Sequence, residues 1–179
     1  VNPDGPWLPH PENHSNKVFD RLVDSTKKIC AVAEGEGVML SLEGGYVSPI
    51  YSARRTKDFI DAVGSKNLGF NQDPVNFISS LEEAYNTKEF LEDFFTLLGD
   101  HTLGAHLKDF KVIDTLLLRF EEEYLGYGMM DQVYFLERMQ DICPEGHVLI
   151  EHIPRDKFKP SYSHTLEFSK KASIKWEDY

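Results

Sequence analysis

The stretch Val38-Met-Leu-Ser-Leu42-Glu43-Gly44 decides how the chain is read. From Val38 to Leu42 it is an apolar run too brief for a helix, and Gly35, Gly37 and Gly44 bound it. That is the pattern of a strand buried on both faces of a parallel sheet. Glu43 then stands at the carboxyl end of the strand. Upstream, Val18, Phe19, Leu22, Val23, Ile29, Cys30 and Ala33 recur at three- and four-residue spacing. They predict a core-facing helix that starts after Ser15 and ends at the glycines.

The same unit recurs along the chain. A helix over about Ala53 to Val63 stops at Gly64, and Asn67-Leu-Gly-Phe-Asn71 makes a second strand leading into Asp73-Pro74. Thr87 is placed to cap a helix with Phe90, Leu91, Phe94, Phe95 and Leu98 on one face, closed by Gly99. Thr102-Leu-Gly-Ala105 leads into His106-Leu-Lys-Asp109. Residues 112–128 alternate imperfectly, with apolar positions at Val112, Leu116, Leu118 and Phe120, and predict a hairpin or a lid over a site. A helix opening at Asp131 carries Val133, Leu136, Met139 and Cys143 and stops before Pro144. His147-Val-Leu-Ile150 follows, ending at Glu151. The tail after Pro154 has a weak helical pattern between Thr165 and Ile174, and the Pro- and His-rich opening up to Ser15 reads as an ordered loop or a trimmed end.

Strands alternating with helices through short connections specify an α/β fold, a parallel sheet built from right-handed crossovers with both faces covered. Such sheets bind ligands at the carboxyl ends of their strands, where Glu43, Asp73, His106 and Glu151 all fall. Singly each has an ordinary explanation, since an Asp before Pro is commonly a turn residue and a Glu after a strand is commonly solvated. Turn chemistry gives no reason for a ligand-type side chain at every strand end. Three carboxylates and one imidazole form a mixed oxygen and nitrogen set suited to Mn²⁺, Mg²⁺, Co²⁺ or Zn²⁺. A cation also relieves the mutual repulsion of three crowded carboxylates.

Composition narrows the function classes. A chain of 179 residues that is 41% hydrophobic buries a sizeable core, so residues 1–179 are expected to form one domain. A formal net charge of -11 disfavours nucleic-acid binding, which needs clustered Lys and Arg against phosphates. No apolar run approaches the roughly 20 residues that span a bilayer, and the opening lacks a basic region followed by an apolar stretch. The two cysteines, Cys30 and Cys143, lie in apolar helical patterns without metal-ligand spacing and read as buried reduced thiols. These features favour a cytoplasmic protein without a membrane or nucleic-acid partner.

Five motifs in order, Leu42-Glu43-Gly44, Gly69-Phe-Asn-Gln-Asp73-Pro-Val-Asn76, His106-Leu-Lys-Asp109, Gly126-Tyr-Gly-Met-Met-Asp131 and Leu149-Ile-Glu151-His152, resemble the xylose-isomerase-like TIM barrel superfamily. It contains sugar-phosphate isomerases, ketose epimerases, inosose-processing enzymes and endonuclease IV. The resemblance implies that Glu43, Asp73, His106 and Glu151 ligate the metal, and that Glu43 and Glu151 also serve as acid and base in isomerising or epimerising a sugar or sugar phosphate through an enediolate. An inosose-dehydratase-like lyase is the alternative reaction, and a metal-binding but inactive half-barrel, or a sugar-sensing module, the alternative class. Asn76 stands where ketose 3-epimerases usually carry His, and Val112 where they carry Arg, which argues against that narrower label. His101, His147, His152 and His164 do not match the further zinc histidines of endonuclease IV.

Around the ligands, Asn76, Lys108, Asp109, Trp7 and His10 are candidate substrate contacts. Lys108 and Asp109 are expected to pair with each other or to reach substrate hydroxyls. His152 is expected to point away from the site by strand alternation.

A full barrel takes about 250 residues or more. By resemblance, this chain starts just after the fourth strand and holds strands five to eight, the C-terminal half of an incomplete barrel. Two unpaired sheet edges and an uncovered face favour a homo-oligomer, or a missing N-terminal half.

Overall fold

The Ser15 hydroxyl accepts the Val18 N–H at 3.3 Å and so opens the first helix. The computed structural model describes Gly5 and residues 7–176. Helix α1 (Asn16–Glu36) passes through Gly35 and ends at Gly37, whose left-handed backbone (φ 66°) lets its N–H cap the carbonyls of Ala33 and Glu34. Val18, Phe19, Val23, Cys30 and Ala33 face inward. Ile29 does not: it is 56% exposed, and the expectation that it belongs to the core face is corrected.

Strand β1 is only Leu40–Leu42, shorter than the expected run from Val38. Val38 and Met39 precede it and are half exposed, and among the described residues β1 has a neighbour on one side alone. Helix α2 (Ala53–Val63) is capped by Ser52 and closed by Gly64 (φ 69°). Strand β2 (Leu68–Gln72) runs into a 3₁₀ turn over Pro74–Phe77. A one-turn helix that the sequence reading missed, α3 (Leu81–Tyr85), is capped by Ser80. In α4 (Thr87–Leu98), Thr87 is the first helical residue and not the cap. Its hydroxyl instead donates to the Met129 carbonyl at 3.3 Å and accepts the Asp131 N–H at 3.3 Å, tying α4 to the loop before the next helix.

Strand β3 (Thr102–Leu107) continues almost directly into β4 (Asp109–Val112), which pairs antiparallel with β5 (Phe120–Glu123). The expected hairpin is therefore present. Its tip turns Leu116, Leu117 and Leu118 to solvent, with Leu116 100% exposed. Helix α5 (Gln132–Ile142), capped by the Asp131 carboxylate, precedes β6 (His147–Ile150). Helix α6 (Phe158–Lys171) is longer than the sequence pattern suggested. It buries Ser161, Thr165 and Ser169, polar residues that hide its inner face from a hydrophobicity pattern. The Thr165 and Ser169 hydroxyls are satisfied by carbonyls one turn back. Both cysteines are free, Cys30 buried and Cys143 only partly so.

The sheet is parallel in the order β1-β2-β3-β6, with Leu42 opposite Phe70 and His106 opposite Leu149. At Gly69 a Cβ would lie 2.7 Å from the His101 carbonyl, so only glycine lets β2 and the start of β3 approach this closely. Successive helices pack side by side, and two apolar clusters lie beneath them, one around Phe59, Phe70 and Phe94, the other around Phe95, Leu107 and Phe135. Leu40, Leu42, Val148 and Ile150 pack against these clusters. Ser41 and Leu149 lie on the opposite face and are exposed, so helices cover one face and not both. Among the described residues this is a partial TIM-barrel sheet of four strands, not a closed barrel, and the uncovered face is the one a closed barrel would turn inward.

Candidate metal centre

Each of the four ligand-type residues arrives from a different strand. Glu43, Asp73 and Glu151 immediately follow the last residues of β1, β2 and β6, and His106 is the last residue but one of β3. One donor atom from each lies within 4.8 Å of all the others. His106 Nδ1 is the focus, 3.1 Å from Glu151 Oε2, 3.3 Å from Asp73 Oδ2 and 3.6 Å from Glu43 Oε1. Extended strands in parallel register deliver side chains to one level, so residues distant in sequence meet without a long loop to order.

Asp73 opens the 3₁₀ turn, and its carbonyl accepts the Asn76 N–H at 3.2 Å, which folds Asn76 back over the cluster. The Asn76 amide donates to Asp73 Oδ2 at 2.8 Å and to Glu43 Oε1 at 3.2 Å. Lys108 is buried, with Nζ 2.7 Å from both Asp73 Oδ2 and Glu151 Oε2, and it donates to Asn76 Oδ1 at 3.1 Å. Its ammonium therefore meets three acceptors belonging to the protein itself.

Asp109 corrects an expectation. It neither pairs with Lys108 nor faces the site, because neighbours on an extended backbone point to opposite faces. Its carboxylate accepts backbone N–H groups from Phe110, Gly126, Gly128 and Met130 at 3.0–3.2 Å and anchors the loop after the hairpin.

The two glutamates are tuned apart. Burial pushes the Glu43 carboxyl above its ordinary value, and the adjacent Asp73 adds to the shift. Burial also acts upward on Glu151, but the bond and charge of Lys108, followed by His106 and His152, outweigh it and hold that carboxyl below the usual range. Lys108 stays charged despite its burial because Asp73 and Glu151 raise its pKa.

The donor set fits a divalent ion. Carboxylate oxygens and one imidazole nitrogen converge, and Asp73 Oδ1, fully buried, has no hydrogen-bond partner among the described residues.

Trp7 lies with Glu43, Gly45, Val47, Asn76, Lys108, Glu151 and His152 around a cavity of about 320 Å³. His10 is not part of it. It borders a separate depression with His14 and Tyr46, and its Nδ1 accepts the Glu12 N–H at 3.2 Å. The expectation for His152 is also corrected. The strand has already ended at Ile150, so alternation does not reach it, and a left-handed backbone (φ 56°) turns the ring to the cavity. Its Nδ1 lies 2.5 Å from Glu122 Oε1 and its Nε2 3.8 Å from Glu151 Oε2. Glu122 had no signal in the sequence beyond its place in the hairpin.

Comparison with known proteins agrees with this architecture. A family model described as "Xylose isomerase-like TIM barrel" matches residues 3–172. No curated protein sequence matches the chain. Among solved structures, a xylose isomerase-like TIM barrel protein from Mycobacterium smegmatis in complex with magnesium is similar with a TM-score of 0.70 and 15% identity, over 94% of this chain and 55% of that one. A xylose isomerase domain protein from Planctomyces limnophilus has a TM-score of 0.70 at 24% identity, over 91% of this chain and 56% of its own. D-allulose 3-epimerase from Methylomonas sp. gives 0.60 at 17%, over 92% and 57%. The chain thus spans little more than half the length of these structures.

Proposed function

The chain belongs to the xylose isomerase-like TIM barrel family, and on that premise we propose that it forms the metal-binding half of a divalent-metal-dependent sugar or sugar-phosphate isomerase or epimerase. The observation that carries the reading is the convergence of Glu43, Asp73, His106 and Glu151 at four adjacent strand ends, with donor atoms within 4.8 Å. A divalent ion held there would withdraw electron density from a substrate carbonyl and its neighbouring hydroxyl, making the C–H between them more acidic.

The proton transfers fall to the protein. Glu151, held in its ionised form by Lys108, is suited to remove the proton, leaving an enediolate. Glu43, whose carboxyl is pushed toward its protonated form, is suited to return one from its own side of the cavity. Lys108 and Asn76 hold the two carboxylates in place, and Trp7 gives the cavity an apolar wall against which a sugar ring or chain can lie. The magnesium of the similar Mycobacterium smegmatis protein and the epimerase activity in the name of the Methylomonas protein support this class of reaction.

The test is exchange of solvent deuterium into a panel of ketoses and ketose phosphates with Mn²⁺ present. Exchange with at least one substrate is expected, reduced about 100-fold or more by Glu151→Gln. Absence of exchange with every substrate would leave a metal-binding half-barrel without this activity.

A further inference from the structure

We infer that Lys108 is the resident counter-ion of the metal-free centre, an ammonium that holds the carboxylates together when no divalent ion is bound and that metal binding must work against. The inference rests on the metal-centre reading. Nζ lies 2.7 Å from Asp73 Oδ2 and 2.7 Å from Glu151 Oε2, and these are the same two oxygens that face His106 Nδ1 at 3.3 and 3.1 Å. The ammonium and the focus of the donor set thus share their acceptors.

Asn76 extends the arrangement to the third carboxylate. Its Oδ1 accepts from Lys108 and its Nδ2 donates to Glu43 Oε1. A chain of contacts therefore runs from Glu151 through Lys108 and Asn76 to Glu43, with Asp73 touched by both.

Charge decides the direction of the effect. With all three carboxylates ionised, one ammonium leaves two negative charges uncompensated, the charge of one divalent ion. Without metal, Lys108 is a buried cation opposing three mutually repelling acids, two of which it touches. With metal bound, it is a cation close to another cation. Lys108 therefore stabilises the metal-free protein more than the metal-loaded one, and by linkage it lowers metal affinity while keeping the ligands assembled. It is a positioning residue, and with Nζ 2.7 Å from an oxygen of Asp73, 2.7 Å from one of Glu151 and 3.1 Å from Asn76 Oδ1 it is not the free sugar-binding amine that its place in the sequence suggested.

The experiment is a comparison of the unaltered chain with Lys108→Met by Mn²⁺ titration, read by electron paramagnetic resonance, and by thermal melting in EDTA and in saturating Mn²⁺. The melting temperature of Lys108→Met is expected to fall in EDTA, to recover in Mn²⁺ so that the gap between the two conditions widens, and its Mn²⁺ Kd to tighten on the order of tenfold. Lys108→Gln, which keeps a polar end near Asn76, is measured beside it and carries the same expectation where the Met variant does not fold. An equal fall in both conditions, or a weaker Mn²⁺ Kd, would overturn the inference, since a residue needed only for folding or for ligand alignment gives that result. No Mn²⁺ binding by the unaltered chain would instead overturn the metal-centre reading, and the inference with it.

Discussion

Asp73 and Asp109 are both buried carboxylates next to strand termini, yet the fold treats them in opposite ways. Asp109 has each oxygen matched by two backbone N–H groups, at 3.0–3.2 Å. Asp73 is fully buried with one oxygen unpartnered among the described residues, while the other is crowded by Asn76, Lys108 and His106. A carboxylate that backbone donors satisfy completely serves the fold. One held beside two further carboxylates with an unpaired oxygen costs stability, and that cost is expected where a ligand supplies what is missing.

The comparison breaks down if the two residues respond alike to the same isosteric change. Asp109→Asn places an NH₂ group against N–H donors and removes the charge that attracts them, so it is expected to lower unfolding free energy by about 3 kcal/mol, read by urea denaturation without metal. Asp73→Asn is expected to change metal-free stability by about 1 kcal/mol or less, because easing carboxylate repulsion offsets the weakened Lys108 contact. Its effect is expected instead in Mn²⁺ affinity, weakened by about 100-fold or more.

A smaller change sharpens the structural half of the comparison. A Cβ at Gly128 would lie 2.1 Å from Asp109 Oδ1 and 2.6 Å from the Phe110 carbonyl, so Gly128→Ala is expected to cost about 2 kcal/mol in the same denaturation series with Mn²⁺ affinity nearly unchanged. The smallest effect is expected at the hairpin tip. Leu116 is entirely exposed, and Leu116→Ser should stay within about 0.5 kcal/mol of the unaltered chain.

The sequence located the four converging residues better than it located their surroundings. Parallel strands place their ends at one level, and a short apolar run followed by an acid reveals that position for Glu43, Asp73 and Glu151 without any knowledge of packing, while His106 lies one residue before the end of its own strand. Lys108 and Asp109 were misread as a pair because adjacency in sequence suggests contact, whereas an extended backbone sends neighbours to opposite faces. Strand alternation, applied to β3 and carried one step past its end, was the available signal. His152 had no comparable signal, since its left-handed backbone reflects tertiary context and not a residue preference. The inner face of α6 was obscured by Ser161, Thr165 and Ser169, buried polar residues of which Thr165 and Ser169 bond carbonyls one turn back. Ile29 misled in the opposite sense, an apolar residue at helical spacing that faces solvent.

The central claim is that one divalent ion sits among Glu43, Asp73, His106 and Glu151. Anomalous scattering from crystals of the chain grown with Mn²⁺ tests it most directly. A single strong peak within bonding distance of the three carboxylates and His106 Nδ1, lost in Glu151→Gln, is the expected result; a map with no peak among these four residues, or with its peak elsewhere on the chain, would contradict it.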